Sequence, residues 1–170
     1  MALREIKTLP STVLRRKARK VIAFGPELQA LIDDMVETMR SAPGVGLAAP
    51  QVDVSLRVIV VEFGNEEDEE APKKLYTLVN PEIWHPSDEL VVATEACLSI
   101  PGFVGDVERH ETLTVKALNR FGKPQRVKAE GWLARIFQHE IDHLDGVLYI
   151  DRAEKVWKLE EGDVQIVPAD

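Results

Sequence analysis

Only one cysteine, Cys97, stands in the 170 residues of this chain. That excludes an internal disulfide and fits a reducing compartment. A lone cysteine there is a core residue, a nucleophile or a metal ligand, and taken by itself the buried structural reading is the plainer one. Basic residues are also scarce: 21 Lys and Arg against 29 Asp and Glu leave a formal charge of −8. Such a balance argues against broad binding to nucleic acid or to an anionic membrane, both of which need a basic surface. No apolar run approaches the ~18 residues of a membrane span. The opening "MALREIKTLP" lacks the apolar core of a secretory leader, so a cytoplasmic protein is expected. With no internal repeat, low-complexity tract or linker, one domain over residues 1–170 and a monomer are expected. The polar stretch from about residue 152 reads as a loosely packed tail.

What is present is patterned in two ways. "GPELQALIDDMVETMRSAPG" carries Leu28, Leu31, Ile32, Met35, Val36 and Met39 at helical spacing, with Pro26 suited to the first turn and Pro43-Gly44 as a stop. That Leu and Met stripe reads as core. Strand-like runs follow: "LRVIVVEF", "LYTLVNP" and "ELVVAT", with "GNEEDEEAPKK" as a solvated loop between the first two. "TLTVKALNRFGKPQRVKAEG" reads as a hairpin turning around Gly122. "GWLARIFQHEIDHLDG" reads as a second helix, with Trp132, Ile136, His139 and His143 on one side. The class is therefore mixed.

The second helix holds the informative motif, "QHEIDH", residues 138–143. Histidines at i and i+4 share a helix face and can bind one metal ion. Glu140, directly after the first, can take a proton from a metal-held water. A chance match on a charged helix surface is the competing reading. Two histidines need a third protein ligand. Six residues past His143, where one peptidase pattern places a third histidine, the chain has Tyr149. Another peptidase pattern uses a distant downstream carboxylate; Glu160 and Glu161 are available, though in a polar tail. Upstream, Cys97 in "EACLSIPG" offers a thiolate, a good ligand for zinc or ferrous iron. His85 and His110 sit in no recognisable catalytic context, and Gln138 has no assigned chemical role.

Taken together, "GVGLAAPQ" (44–51), "EACLS" (95–99) and "QHEIDH" (138–143) resemble the peptide deformylase family in order and spacing, and the likeness runs from about residue 5 to residue 152. One difference is Ala96, where the family usually has glycine before the cysteine. The resemblance implies an α+β fold, with antiparallel sheets packed around a central helix carrying the HExxH motif. It implies a metal-dependent hydrolase that removes the formyl group from the N-terminal formylmethionine of nascent polypeptides, releasing formate. Cys97, His139 and His143 would bind one divalent ion, natively Fe(II), with Zn(II), Ni(II) or Co(II) accepted. Glu140 would be the general acid/base. Gln51 and the backbone N–H of Leu98 would polarise the formyl oxygen. Gly46 would engage the substrate chain through its backbone. Ribosome contact finds no support in the residues after Asp151.

Three further expectations follow from that resemblance. Glu95 is expected as a buried carboxylate behind the ligands, with Arg109 as its partner. An unbranched methionine side chain would suit a pocket of Val45, Leu98, Trp132, Ile136 and the stem of Arg135, although Trp132 and Ile136 read almost equally well as plain core. The peptide beyond methionine would lie extended along a strand edge. Two competing functions stay open: a metallo-endopeptidase using Glu160 or Glu161, and a metal-bearing binding protein without turnover.

Overall fold

The structure, a computed structural model, describes residues 2–64, 67, 68 and 70–159. Among the described residues the chain forms two antiparallel sheets, two long helices and shorter helical turns. Helix α1, Pro26–Ser41, starts on a proline that has no N–H to satisfy. It buries Leu28, Leu31, Ile32, Met35, Val36 and Met39, the stripe legible in the sequence. The first sheet comprises β1 (Gly46–Ala48), β2 (Val58–Phe63), β3 (Lys74–Trp84), β6 (Thr112–Leu118) and β7 (Pro124–Glu130), in that spatial order. Its β6–β7 hairpin places Gly122 in the turn, at φ 84°. The second sheet comprises β4 (Leu90–Cys97), β5 (Ile100–His110) and β8 (Lys155–Lys158), ordered β4-β5-β8.

Two elements depart from the sequence reading. β5 is an eleven-residue strand where no strand was expected, pairing along the whole of β4. Residues 155–158, expected in a loose tail, form β8 against Phe103–Asp106 of β5. Residues 160–170 lie outside the described residues, and with them Glu160 and Glu161.

Helix α2, Gly131–Leu144, contains residues 138–143 and touches β1, β2, β3, β6 and β7 of the first sheet and β5 of the second. Ala134, Phe137, Ile141 and Leu144 join an apolar cluster with Ile59, Val61, Leu78 and Val115 of the five-stranded sheet. Its C-terminus closes as a Schellman turn: Val147 N–H donates to Asp142 O at 3.0 Å and Gly146 N–H to His143 O at 3.2 Å. Gly146 has φ 75°, and a Cβ there would lie 2.5 Å from Arg15 O, so glycine is required on both counts. Arg57 covers the same helix end, donating to Leu144 O at 2.9 Å and pairing with Asp145. A short helix α3, Tyr149–Arg152, follows. No helix of the described residues is long and apolar enough to cross a membrane.

Candidate metal centre

β4 ends at Cys97, and the chain turns through Leu98 and Ser99 into β5 with a register shift between Ala96 and Cys97. The turn carries the thiol to the polar side of α2. Cys97 Sγ lies 3.5 Å from His143 Nε2. One donor atom from each of Cys97, His139 and His143 falls within 4.8 Å of the others, and all three residues are buried. Bonds of about 2.3 Å to sulfur and about 2.05 Å to nitrogen, at a tetrahedral angle, separate the two donors by about 3.6 Å. The observed spacing and the donor chemistry thus fit a single soft or borderline divalent ion.

The imidazoles are held from behind. His139 Nδ1 lies 2.8 Å from Glu95 Oε1, so Nδ1–H donates to the carboxylate and Nε2 turns toward Cys97 and His143. The ring of Tyr149 stacks on that of His139, centroids 6.0 Å apart and planes 20° apart. Tyr149, at the position where a peptidase pattern would place a third histidine, thus packs on a ligand face.

Glu95 is the hub of a buried ionic network. Arg109 grips it as a fork, Nε to Oε2 and Nη2 to Oε1, both at 2.9 Å. Arg109 Nη1 donates to Asp142 Oδ2 at 2.7 Å, and Asp142 also receives Arg152 through Nε at 2.7 Å and Nη2 at 3.0 Å. Burial raises the Glu95 carboxyl, but hydrogen bonds from Arg109 and His139 outweigh it and hold the group well below the usual carboxylate range. Burial likewise pulls Arg109 down, and Glu95 and Asp142 outweigh it, so its net shift is upward. The expected partners Glu95 and Arg109 therefore do meet.

Arg135 departs from expectation. Its guanidinium is buried and donates to Glu95 Oε2 at 2.6 Å, to Val107 O at 2.9 Å and to Val91 O at 2.6 Å. It was expected to lend only its stem to a pocket. Burial, which outweighs Glu95 here, pulls its pKa down, while the group remains a cation. Asp142, Arg152 and Ser99 were missed altogether. Asp142 sits three residues after His139 on the same helix, a spacing that could have marked it. Gln138 acquires a structural contact: its amide accepts from His110 N–H at 3.0 Å and donates to His110 O at 2.9 Å, clipping α2 to the end of β5. His110 itself points Nδ1 at Ser87 O, away from the centre.

Gln51 lies beside the thiol. Ala48 N–H donates to its Oε1 at 2.9 Å, which directs Nε2 toward Ser99 Oγ at 3.1 Å and Cys97 Sγ at 3.8 Å. Glu140 is fully buried against Gly46: a Cβ on Gly46 would lie 2.5 Å from Glu140 Oε2. A side chain at 46 would displace the Glu140 carboxylate. Val45, Trp132, Arg135 and Ile136 line a small cavity together with Ala96 and Glu140. Leu98, also expected there, does not line it. Its volume is 20 Å³, about enough for one water. A larger groove of 830 Å³ runs along residues 19–31 and shares no lining residue with this centre.

The polypeptide deformylase family profile matches residues 3–158. The chain belongs to the peptide deformylase family. A peptide deformylase from Symbiobacterium thermophilum is 52% identical over 161 residues, 95% of this chain and 71% of that protein. One from Natranaerobius thermophilus is 50% identical over 161 residues, 95% of this chain and 99% of that protein. The crystal structure of a peptide deformylase from Thermotoga maritima superposes with a TM-score of 0.84 at 40% identity, covering 91% of this chain and all of that one. One from Ehrlichia chaffeensis, in complex with actinonin, gives 0.85 at 37% identity, covering 91% of each chain. The family's metal dependence agrees with the Cys97, His139 and His143 cluster.

Proposed function

We infer that this chain removes the formyl group from the N-terminal formylmethionine of newly made polypeptides, releasing formate. Family membership supports the reaction. The observation that carries the site assignment is the buried Cys97, His139, His143 donor set, with the buried Glu140 next to His139 in sequence and packed against Gly46 of β1. In this reading α2 is the central helix around which both sheets pack, and residues 1–170 form a single domain.

Cys97 Sγ, His139 Nε2 and His143 Nε2 would hold the ion. Fe(II) is proposed as the native metal, with Zn(II), Ni(II) or Co(II) as substitutes, in keeping with a thiolate and two imidazoles as donors. When bound, the ion supplies Lewis acidity. Glu140 accepts a proton from the water that attacks the formyl carbon, then passes it to the departing amine nitrogen. Gln51 Nε2 and Leu98 N–H donate to the formyl oxygen as it gains charge; the Ala48 to Gln51 hydrogen bond keeps the carboxamide turned that way beforehand. Glu95 holds His139 in the tautomer with the proton on Nδ1 and the lone pair on Nε2, as a metal ligand requires. The peptide backbone lies extended beside Gly46, on the open edge of β1. Trp132, Ile136 and Val45 receive the methionine side chain. Because the cavity is 20 Å³, its walls, among them the partly buried Val45 and Trp132, must give way for that side chain to enter.

The test is formate release from formyl-Met-Ala-Ser, run beside mass analysis of longer unformylated peptides. Formate without internal cleavage is expected. Internal cleavage without formate favours an endopeptidase. Metal retention without either product favours a binding protein. Actinonin, seen bound to the Ehrlichia chaffeensis relative, is expected to inhibit.

A further inference from the structure

Arg135 joins two parts of the centre that the proposed mechanism treats separately. Its guanidinium holds Glu95 Oε2, and Glu95 Oε1 holds His139. Its side chain also walls the small cavity, with Trp132 beside it at 5.6 Å from ring centroid to guanidinium carbon.

We propose that Arg135 is a positioning residue that couples the substrate side-chain cavity to the metal ligand His139 through Glu95. The proposal rests on the deformylase reading of the site. Arg109 forks the Glu95 carboxylate along one direction. Arg135 approaches Oε2 separately, so the two arginines together fix the carboxylate plane and the aim of Oε1 at Nδ1 of His139. The same guanidinium also donates to Val107 O on β5 and Val91 O on β4, so a push on its stem is passed to Glu95 rather than lost in a loose head group. A side chain too large for 20 Å³ must press on the cavity walls, and those walls include Arg135 and its neighbour Trp132. Occupancy of the cavity is thereby transmitted to a guanidinium two hydrogen bonds from the His139 ring. A purely structural Arg135 would tie β4 to β5 and leave the ligand and the substrate preference untouched.

Arg135→Met keeps an unbranched stem and loses the fork; Arg135→Lys keeps charge without the fork. Both are compared with wild type as Co(II)-loaded protein. The readouts are the visible absorption of Co(II), its rate of loss to a chelator, and kcat and KM for formyl-Met-Ala-Ser and formyl-Ala-Ala-Ser. Arg135→Met is expected to shift the Co(II) bands and to release the ion at least tenfold faster. The kcat advantage of the methionine substrate over the alanine substrate should shrink at least fivefold, and Arg135→Lys should restore part of each effect. In a Glu95→Gln background, Arg135→Met should add less than twofold to ion release, since both act through one link. Unchanged bands and release, or full multiplication of effects in that background, would overturn the proposal. Should Arg135→Met fail to fold, Arg135→Lys is held to the same readouts: bands, release and substrate ratio all matching wild type reject coupling. If wild type releases no formate, the functional reading fails on that observation alone, and the bands and release rates still decide whether Arg135 positions the ligand.

Discussion

Helix α2 has two unlike neighbours. Toward the five-stranded sheet it presents Ala134, Phe137, Ile141 and Leu144, packed among Ile59, Val61, Leu78 and Val115. Toward β4 and β5 it presents Arg135, Gln138, His139 and Asp142, each tied by a hydrogen bond to Glu95, Arg109, Val107 or His110. The first contact is non-directional: it stabilises in proportion to the apolar area it removes from water. The second is directional: buried charges are costly to desolvate, and what they provide in return is orientation. One helix therefore anchors itself on one side and aims its candidate ligand His139 on the other. Damage to the first side should show mainly as lost stability, and damage to the second as lost metal and lost chemistry.

The largest effect is expected at the reacting group itself. Glu140→Gln should lower kcat by about 10²–10⁴-fold, the usual contribution of a general acid/base. Metal content, read by atomic emission on the same sample, should stay at the wild-type level. A loss of activity that merely tracked lost metal would place Glu140 among the ligands instead.

The two faces can then be set against each other. Phe137→Ala, at a fully buried aromatic on the apolar side, should cost about 3–5 kcal/mol in denaturant unfolding. Its Co(II) spectrum should stay close to wild type. Arg109→Met takes the fork from Glu95 and one of two arginines from Asp142, leaving Arg135 and Arg152 as their remaining cations, and should cost up to about 3 kcal/mol. It should also weaken metal retention about 10–100-fold. Equal metal affinity in the two variants would erase the distinction between the faces.

Acid should act on the polar side. The Glu95 carboxyl is held below its ordinary 4.5 in the folded protein, so the unfolded chain takes up that proton first. The stability it contributes is complete above about pH 4.5 and falls as the pH drops toward the depressed folded value. Unfolding midpoints measured between pH 3 and 6 should fall more steeply toward acid in wild type than in Glu95→Gln. Parallel curves would mean that Glu95 carries no such linkage. The smallest effect is expected far from either face. Arg40 and Glu62 form an exposed ion pair, with Arg40 about half accessible, and Arg40→Ala should cost under about 1 kcal/mol.

The same asymmetry explains what could be read without coordinates. The apolar side was legible: the stripe of α1 and the helical span of α2 follow from spacing alone, because burial repeats with the helix period. The motif residues His139, Glu140 and His143 were legible too, since their relation is contained within one turn. β5 was not, because Pro101, Gly102 and Gly105 interrupt any alternation and its order comes from pairing with β4. β8 is four residues long and polar at its edges, so only the exposed side of β5 selects it as a strand. The destination of the Arg135 head depends on where β4 and β5 place Val91, Glu95 and Val107, none of them near in sequence. Directional contacts between distant segments leave no periodic trace.

The most direct test of the account joins metal and product in one sample. The protein is prepared anaerobically, because Fe(II) and a thiolate ligand are both oxidisable, and metal per chain is measured together with formate released from formyl-Met-Ala-Ser. About one ion per chain with steady formate release is the predicted result, and Cys97→Ser should lose both together. A fully loaded wild-type protein that releases no formate, or a Cys97→Ser variant that keeps its metal and full activity, would contradict it.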